Sequence, residues 1–349
     1  MPKQPLSIDR LSRRRVLRDW ALLPWVGSWV AGPGLAQAQS AAAVDPSLQA
    51  ADCVIPARAG GGFALTCALA RDALQAVRPQ RPPLGQRYLP GGIGAVAFDR
   101  VASGQLGGSH TLVAFSSGSL LNLAQGRFGP HAPTAVHWLV TLGTDYGVVA
   151  VHRDAPWKTL QELLAALRHD VSRVVFGAGG TVGSQDWMKA ALTAKAAGVD
   201  FKKMRFVAFE GGGEAVTALR GGHIQAYMGD AAEAFTMLEG GAPIRVLAVF
   251  NDQRLPGKLG TVPTAKEQGY DIVWPIIRGF YVGPKVSDSD YQFWVDAFNR
   301  VAAAPEFAKL REQQGLFPFN KTGADLDAYV KQQVKQYAEL AGSFGLVKK

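Results

Sequence analysis

Three glycine-rich turns, each between a short apolar run and a helical pattern, constrain this chain more than any other feature of its sequence. The turns are Gly60–Gly62, Gly177–Gly183 and Gly211–Gly213, and they follow the apolar runs Cys53–Ile55, Val174–Phe176 and Phe206–Phe209. A strand that ends in glycines before a helix leaves main-chain N–H groups exposed at the helix N-terminus, where they attract anions. The pattern therefore predicts a cleft that holds a negatively charged group.

From Ala51 onward the sequence alternates short apolar runs with amphipathic segments, a pattern typical of parallel sheets with helices on both faces. The chain has 349 residues, enough for two domains with separate cores. Trp138–Leu142 and Val148–Val151 are predicted as two separate strands. Predicted helices include Leu65–Ala76, Ala95–Ala102, Gln185–Ala197, Glu214–Arg220 and a closing pair, Asp288–Ala303 and Ala324–Ala341.

The composition is that of a folded protein, because 48% of the residues are hydrophobic and 19% are charged. The net charge is +9, but six Lys/Arg and two Asp/Glu lie in the first 38 residues, so the rest of the chain carries +5. That excess is scattered, without long tracts of like charge or a basic and aromatic alternation. The composition therefore argues against nucleic acid as a partner and is compatible with a small acidic ligand.

The N-terminus carries the features of an export signal. Ser12–Arg18 resembles the twin-arginine motif S-R-R-x-F-L-K, with Val and Arg in the places of the Phe and the Lys. An apolar segment at 20–30 follows, and Ala36–Ala38 offers a small-x-small cleavage site. We therefore expect residues 1–38 to be a twin-arginine signal peptide and the mature chain to be periplasmic. After this leader, no apolar run reaches the ~18 residues that a membrane-spanning helix needs.

The two cysteines, Cys53 and Cys67, lie on either side of the first glycine turn. An oxidising periplasm permits a disulfide between them. If Cys53 begins a strand and Cys67 lies one turn into the returning helix, their positions differ by roughly 10 Å along the sheet. A disulfide tolerates at most about 7 Å between Cα atoms. The sequence therefore predicts two buried, unpaired thiols.

A series of short glycine- and proline-containing motifs runs along the mature chain. They are Pro56–Gly62, Pro90–Gly94, Gly183–Ser184, Phe209–Gly213 with Ala218–Gly222, and Val262–Gly269. In this order and spacing they resemble the periplasmic substrate-binding proteins of tripartite tricarboxylate transporters, the Bug-type solute receptors. The first matches that family's P-x-x-P-G-G-G loop, the second its P-G-A-G-G turn, and the last its I-P-T-x-x-E-x-G motif. The similarity covers nearly the whole mature chain, from about Cys53 to Val347.

The resemblance implies an α/β, two-lobed, periplasmic-binding-protein-like (type II) fold, in which each lobe is a mainly parallel sheet flanked by helices. Lobe I would comprise 45–149 with 273–349, and lobe II would comprise 150–272. Such a receptor is non-catalytic and monomeric, and it uses no cofactor. It binds a di- or tricarboxylate or an aromatic carboxylate in the interlobe cleft. It then delivers this organic acid to the permease subunits of a tripartite tricarboxylate transporter.

Two positions of the first loop depart from the family pattern. Ala59 stands where a second proline is usual, which loosens the turn, and Ala64 stands where an acid is usual. Because that carboxylate would orient a polar ligand group or a water, its loss predicts a ligand that is less polar, or aromatic.

The predicted ligand-binding residues lie at strand ends and helix starts around the glycine turns. Glycines permit close approach of the main chain, Ser and Gln side chains offer hydrogen bonds at helix N-termini, and Arg58 offers a bidentate partner for a carboxylate. For Asp230 the sequence leaves open a ligand contact or the capping of the next helix, and Arg278 is a further candidate. The predicted set is Arg58, Gly60, Gly61, Gly62, Phe63, Ser116, Ser117, Gly183, Ser184, Gln185, Gly212 and Asp230.

Two other functions remain open on the sequence. Gly177–Gly183 resembles a dinucleotide fingerprint with one extra residue, which would fit an exported oxidoreductase. However, the acid at the end of the next strand, Glu210, lies 33 residues after Gly177, whereas that fold places it ~20 residues on. A ligand sensor for a signalling partner would share the receptor fold. The six histidines show no metal-ligand spacing, so no metal site is predicted.

Overall fold

The computed structural model describes residues 51–77 and 83–347, and the predicted signal peptide at 1–38 lies outside these ranges. The strands of the described chain are β1 (Asp52–Ile55), β2 (Gly85–Tyr88), β3 (Thr111–Ser116), β4 (His137–His152), β5 (Val175–Gly179), β6 (Arg205–Phe209), β7 (Ala226–Asp230), β8 (Ile244–Phe250) and β9 (Pro275–Val282). Its helices are α1 (Gly62–Val77), α2 (Ala95–Ala102), α3 (Ser117–Ala124), α4 (Leu160–His169), α5 (Gln185–Ala196), α6 (Gly212–Arg220), α7 (Ala231–Glu239), α8 (Asp288–Ala303), α9 (Pro305–Gln313) and α10 (Gly323–Ser343).

The strands form two sheet regions that two long strands join. In the first region β1 pairs in parallel with β2 and β3, and in the second β5 pairs in parallel with β6 and β7. The antiparallel strand β9 pairs with β3 and with the first part of β4. The second part of β4 pairs with β7 and β8. Thus β4 belongs to both regions, and its partners change between Tyr146 and Gly147.

The prediction of two strands around residue 145 is wrong, because β4 runs unbroken from His137 to His152. The segment Gly143–Gly147 looks like a turn, since it has glycines at both ends and the charged Asp145 between them. In the structure Asp145 is fully buried, and Arg278 on β9 neutralises it. This pairing keeps a carboxylate inside a continuous strand, which a local sequence pattern does not reveal.

Alternate residues of the central strands pack on opposite faces of the sheets. In β4, Val149 and Val151 pack in one apolar cluster with α4 and α5, whereas Val148 and Ala150 pack in another with α6 and α7. In the same way Cys53 and Ile55 of β1 pack with α1 and α8 on one face, and Val54 between them packs with α2 on the other. Because strand side chains alternate, both faces of each region are covered by helices.

The helices follow the predictions closely, with differences at their starts. α2 and α8 have the predicted bounds. α1 begins at Gly62, three residues earlier than predicted, and α6 begins at Gly212, two residues earlier. α9 was not predicted, because only Phe307 of its residues is buried and its apolar period is weak. No helix of the described chain combines the length and the apolar character that crossing a membrane requires.

The prediction of two free thiols is wrong, because Cys53 and Cys67 form a disulfide with their Cα atoms 5.8 Å apart. Since α1 begins at Gly62, Cys67 lies five residues into the helix, which returns the chain by ~7.5 Å at ~1.5 Å per residue. From Cys53 to the end of β1 the strand advances ~7 Å at ~3.3 Å per residue. The return along α1 is of about the same length, so Cys67 comes back to the level of Cys53. The disulfide therefore ties α1 to β1 next to the first glycine turn.

Candidate ligand site in the cleft

A cavity lies between the carboxyl ends of the strands of the two sheet regions. Its free volume is about 50 Å3, so the walls close tightly around it. Its lining comes from both regions, with Phe63, Ile93 and Ser116 on one side and Gly179, Glu210 and Gly212 on the other. Such a position, at strand ends beside a crossover, is where α/β folds bind their ligands.

Five helices begin at this cavity. They contribute Gly62 and Phe63 from α1, Ser116 and Gly118 from α3, Ser184, Gln185 and Asp186 from α5, Gly211 and Gly212 from α6, and Asp230 and Glu233 from α7. Each helix N-terminus is equivalent to about half a positive charge, carried by N–H groups without an intrahelical acceptor. The structure therefore concentrates main-chain donors and positive potential in one place.

Side chains cap some of these helices, while one remains uncapped. Ser116 Oγ accepts a hydrogen bond from the Gly118 N–H, and Ser184 Oγ accepts one from the Trp187 N–H, as expected for Ser184 at the N-cap. The N-cap of α6 is Gly211, which has no side chain to offer. The first turn of α6 is thus available to an external acceptor.

Six glycines line the cavity, one of which is Gly118 in the first turn of α3. We call the other five the glycine walls: Gly61, Gly62, Gly179, Gly211 and Gly212. At two of them an added Cβ would force a neighbouring charged side chain to move. A Cβ on Gly62 would overlap the guanidinium of Arg278, and a Cβ on Gly212 would overlap the Glu233 carboxylate. By contrast, a Cβ on Gly61 would lie 3.6 Å from Glu233 Oε1, an ordinary contact.

Beneath the glycine walls lies a buried ionic cluster, Asp145, Asp186, Lys189, Asp230 and Arg278, which we call the charged floor. Arg278 donates through Nη2 to Asp145 Oδ2 at 2.6 Å and to Asp230 Oδ2 at 2.7 Å. Lys189 donates to Asp230 Oδ1 at 2.6 Å and lies 2.7 Å from Asp186 Oδ1. Charges this deeply buried are tolerated because each has an oppositely charged partner.

The charges of the floor also set its protonation. Burial raises the pKa of Asp186 to about 6, although the positive charge of Lys189 opposes the shift. Burial alone would raise the pKa of Asp230 as well, but Lys189 and Arg278 outweigh it and hold that pKa below its usual value. Asp230 is therefore ionised at neutral pH and is the shared anion of both cations.

Asp230 does not cap the helix that follows it. It stands at the N-cap position of α7 but accepts no hydrogen bond from that helix through its side chain. Instead Asp145 Oδ1 accepts a hydrogen bond of 3.1 Å from the Ala232 N–H in the first turn of α7. The choice that the sequence left open for Asp230 is thus resolved against helix capping, and its carboxylate lies in the cavity wall.

Glu233 connects the floor region to the first glycine turn. Its Oε1 accepts a hydrogen bond of 2.5 Å from the Gly62 N–H, and its Oε2 accepts one of 2.5 Å from the Tyr227 hydroxyl. Burial, together with the negative charge of Asp230, raises the pKa of Glu233 to about 8. A protein carboxyl group therefore occupies a main-chain donor at the start of α1, where an anionic ligand group would compete with it.

The mouth of the cavity has two unlike edges. On one edge the main chain of the first glycine turn packs against that of the third. A Cβ on Gly60 would lie 3.4 Å from the Cα of Gly213. On the other edge Gln125 Nε2 donates to the Gly183 carbonyl at 2.8 Å, and Arg127 Nη1 donates to Thr181 Oγ1 at 2.9 Å. Both edges join the two sheet regions, one by close packing and the other by hydrogen bonds.

The structure brings eight of the twelve predicted site residues to the cavity: Gly61, Gly62, Phe63, Ser116, Ser184, Gln185, Gly212 and Asp230. The other four lie elsewhere. Arg58 is exposed and lies 3.4 Å from Glu214, and Ser117 Oγ accepts a hydrogen bond from the Ile277 N–H in the interior. Gly60 and Gly183 lie at the two edges of the mouth.

Several charged residues of the site were missed by the sequence-based reasoning. Arg278 is a further candidate outside the predicted set, whereas the sequence pattern indicates no role for Asp145, Lys189 or Glu233. The sequence offered one usable signal, because Glu233 is an acid in the first turn of a helix that follows a strand. Ala64, the position of the missing family acid, packs against the apolar cluster beside α1 and does not line the cavity.

The fold is that of a two-lobed periplasmic binding protein with an interlobe cleft, as predicted. The chain superposes on the periplasmic binding protein BugD with a TM-score of 0.74 and 19% identity, over 86% of this chain and 98% of that one. It superposes on MatC from Rhodopseudomonas palustris, solved with bound malate, with a TM-score of 0.71 and 18% identity, over 83% of this chain and 98% of that one.

Residues 126–346 match the model of the tripartite tricarboxylate transporter family receptor, and the chain belongs to that family of solute-binding receptors. A relative from Cupriavidus necator, described as a UPF0065 protein in the gbd 5' region, is 26% identical over 215 residues. That match covers 61% of this chain and spans 63% of the relative's length. The predicted family is therefore confirmed.

Proposed function

We propose that this chain is a non-catalytic receptor that binds a small organic acid in the cleft. The observation that carries the proposal is the convergence of five helix N-termini on one cavity. Oriented N–H dipoles bind a carboxylate without having to reorganise, and the apolar Phe63 and Ile93 exclude water beside them. The likeness to MatC, which was solved with bound malate, supports a carboxylate as the ligand group.

The ligand carboxylate accepts hydrogen bonds from the glycine walls and from the first turns of α5 and α6. Ser116, Ser184 and Gln185 contribute side-chain hydrogen bonds beside them, and Asp230 acts through Arg278 and Lys189 to fix the floor. Phe63 provides an apolar contact. Of the remaining predicted residues, Gly60 and Gly183 close the mouth, and Arg58 and Ser117 hold the surrounding structure.

The two lobes are 45–149 with 273–349, and 150–272. The change of strand partners in β4 between Tyr146 and Gly147 supports this division. Ligand entry requires the lobes to separate at the mouth, because the cavity as it stands is narrow. Closure then presents a changed surface to the permease subunits of a tripartite tricarboxylate transporter, the proposed membrane partner.

The chain acts in the periplasm as a monomer, after export by the twin-arginine signal at 1–38. The family assignment and the Cys53–Cys67 disulfide support an oxidising compartment. Fusion of residues 1–45 to a reporter that the twin-arginine route alone can export would test the signal. Replacement of Arg13 and Arg14 by Lys is expected to retain the reporter in the cytoplasm.

A calorimetric and thermal-shift screen of the mature chain tests the binding function. Citrate, malate, adipate, aromatic acids and acidic amino acids form the panel. At 100 times its Kd, a ligand stabilises the folded chain by about 2.7 kcal/mol, which is a clear rise in Tm. Binding of no member of the panel, or release of a dinucleotide from the denatured protein, would contradict the proposal, and the second result would support the oxidoreductase.

A further inference from the structure

A second cavity lies away from the cleft, between α7, α9 and the loop that follows β8. Its free volume is about 250 Å3, against about 50 Å3 for the cleft cavity, and the two cavities share no lining residue. An apolar cavity of about 150 Å3 holds a benzene molecule, so this one has room for roughly ten non-hydrogen atoms. We call it the α7–α9 cavity, and the proposed receptor function does not use it. Its lining is mainly apolar and includes Phe235, Leu255, Leu259, Leu316, Phe317 and Pro318.

The walls of the α7–α9 cavity are held by the surrounding fold. Phe317 exchanges two main-chain hydrogen bonds with Thr144 of β4, at 2.9 and 3.0 Å. Leu259 and Leu316 are buried in two different apolar clusters, one beside α6 and α7 and the other beside α1 and α8. Because both walls belong to packed cores, the cavity exists before a ligand arrives, and little binding energy is lost in ordering it.

One cation borders this apolar space, Arg311 on α9. Its Nε is buried and has no hydrogen-bond partner in the described part of the chain. Whereas Arg278 contacts two carboxylates in the charged floor, the described residues form no ion pair with Arg311, and its Cζ lies 5.4 Å from the centre of the Phe307 ring. Burial lowers the pKa of Arg311 below its ordinary value because the charge loses water, although Glu312 opposes the shift. The guanidinium therefore has unused capacity for hydrogen bonds.

The acid beside Arg311 does not take the place of an anion in the cavity. Glu312 is exposed, so water and salt screen its charge. The stem of Arg311 packs against β4 instead, since a Cβ on Gly143 would lie 3.3 Å from Arg311 Cδ. This packing holds the side chain at the cavity wall, where an external acceptor can reach it.

We propose that the α7–α9 cavity is a second ligand site, which binds a small apolar monocarboxylate. The carboxylate accepts hydrogen bonds from the Arg311 guanidinium, whose N–H groups match the two oxygens of a carboxylate. The hydrocarbon body lies between Phe235, Leu259 and Phe317 and gains free energy by leaving water. Because the cavity offers one cation, a second carboxylate would be buried in apolar surroundings without a partner. The site therefore selects against di- and tricarboxylates.

Acids paired with their own primary amides test the ligand class by calorimetry on the mature chain. The pairs are phenylacetate and phenylacetamide, cyclohexanecarboxylate and cyclohexanecarboxamide, and hexanoate and hexanamide. Each amide keeps the apolar body and removes the charge. We expect at least one acid to bind about ten times or more tightly than its amide, as for a hydrogen bond to a charged group. Equal or weaker binding of every acid, or binding of none, would overturn the inference.

Substitutions on α9 locate the binding. Arg311→Met removes the donors but keeps an aliphatic stem, and it should weaken the preferred acid at least tenfold and its amide less than twofold. Glu312→Gln is the matched control on the next residue. It removes the opposite charge, so the affinity for the acid should stay the same or rise. Affinity for the acid unchanged in Arg311→Met, with circular dichroism showing a folded chain, would overturn the assignment.

A third variant keeps the inference testable if Arg311→Met does not fold. Ala308 is an exposed residue of the lining, so Ala308→Phe fills the cavity without disturbing the core, and it should weaken the acid and its amide together. Gly62→Ala, in the cleft, should leave both affinities unchanged. A loss in Gly62→Ala with none in Ala308→Phe would place the acid in the cleft, which would overturn this inference and leave the proposed function standing.

Discussion

The charged floor and the glycine walls border the same cavity but are built in opposite ways. In the floor, every charged group is already engaged by another charge, as in the chain of contacts from Asp186 through Lys189 and Asp230 to Arg278 and Asp145. In the walls, glycines without side chains line the cavity, and three of them, Gly62, Gly211 and Gly212, lie at helix starts. The floor therefore stabilises the fold, and the walls offer main-chain hydrogen bonds to a ligand.

Because of this difference, the floor should contribute mainly to the stability of the fold and the walls mainly to ligand binding. A buried ionic cluster loses several kcal/mol when one member is removed, because the remaining charge stays buried without a partner. A bare glycine contributes little to stability, yet a side chain there fills the space where a ligand must lie. Substitutions in the floor should therefore lower the free energy of unfolding. Substitutions of those wall glycines whose new Cβ would overlap a neighbouring group should weaken ligand binding.

The largest effect is expected for Asp145→Ala in the floor. It leaves Arg278 with Asp230 alone and removes the acceptor of the Ala232 N–H, so the free energy of unfolding should fall by about 3–5 kcal/mol. Urea unfolding of the mature chain measures it. Arg254→Ala, which removes an exposed ion pair with Glu267, is the control and should cost less than about 1 kcal/mol. Equal costs for the two variants would refute the role given to the floor.

Glu233 lies between the floor and the walls, and its protonation makes the free energy of unfolding depend on pH. Burial raises its pKa from the ordinary 4.5 to about 8 in the folded chain, so it stabilises the fold at low pH and this contribution is lost as the pH rises toward 8. Glu233→Gln should therefore gain a few kcal/mol relative to the unaltered chain between pH 5 and pH 8.5. Urea unfolding at the two pH values measures it. Parallel pH profiles for the two proteins would show that Glu233 is not held protonated.

The neighbouring glycines Gly61 and Gly62 provide a matched pair in the walls. Gly62→Ala forces its new Cβ into the guanidinium of Arg278, and ligand affinity should fall at least tenfold. Gly61→Ala makes only an ordinary contact with Glu233 and should change affinity less than threefold. Calorimetry with the tightest ligand of the screen compares them. A larger loss for Gly61→Ala would show that the close approach to Arg278 does not matter.

The smallest effect is expected at the hydrogen-bonded edge of the mouth. Gln125→Ala removes the donor to the Gly183 carbonyl, and a net hydrogen bond of about 0.5–1.5 kcal/mol corresponds to a twofold to tenfold loss of affinity. Gln333→Ala on α10 is a control outside the cleft, since the side chain of Gln333 donates to Gln336 in an exposed hydrogen bond and does not line the cavity. Affinity unchanged in Gln125→Ala would mean that this bond does not contribute to the closed state.

The glycine turns that form the walls were visible in the sequence, whereas of the floor the sequence indicated only Asp230 and, as a further candidate, Arg278. Glycines after an apolar run and before a helix are local signals, and they located Gly61, Gly62, Ser184 and Gly212 at the cavity. The floor depends on contacts between distant parts of the chain, because Asp145 and Arg278 are 133 residues apart and Glu233 meets Gly62 across 171 residues. No local pattern marks such partners.

The two structural errors have related causes. The disulfide was missed because the start of α1 was placed three residues late, and small shifts along a helix decide whether two cysteines meet. The break predicted in β4 fell on residues 143–147, where Asp145 is buried and pairs with Arg278 on another strand. In both cases a long-range contact overrode a local expectation.

The crystal structure of the mature chain with its tightest-binding acid tests the central claim most directly. We predict that the ligand carboxylate lies in this cavity and accepts hydrogen bonds from main-chain N–H groups in the first turns of at least two of the five helices. A carboxylate bound only by side chains, or a ligand bound outside the cavity, would contradict the claim.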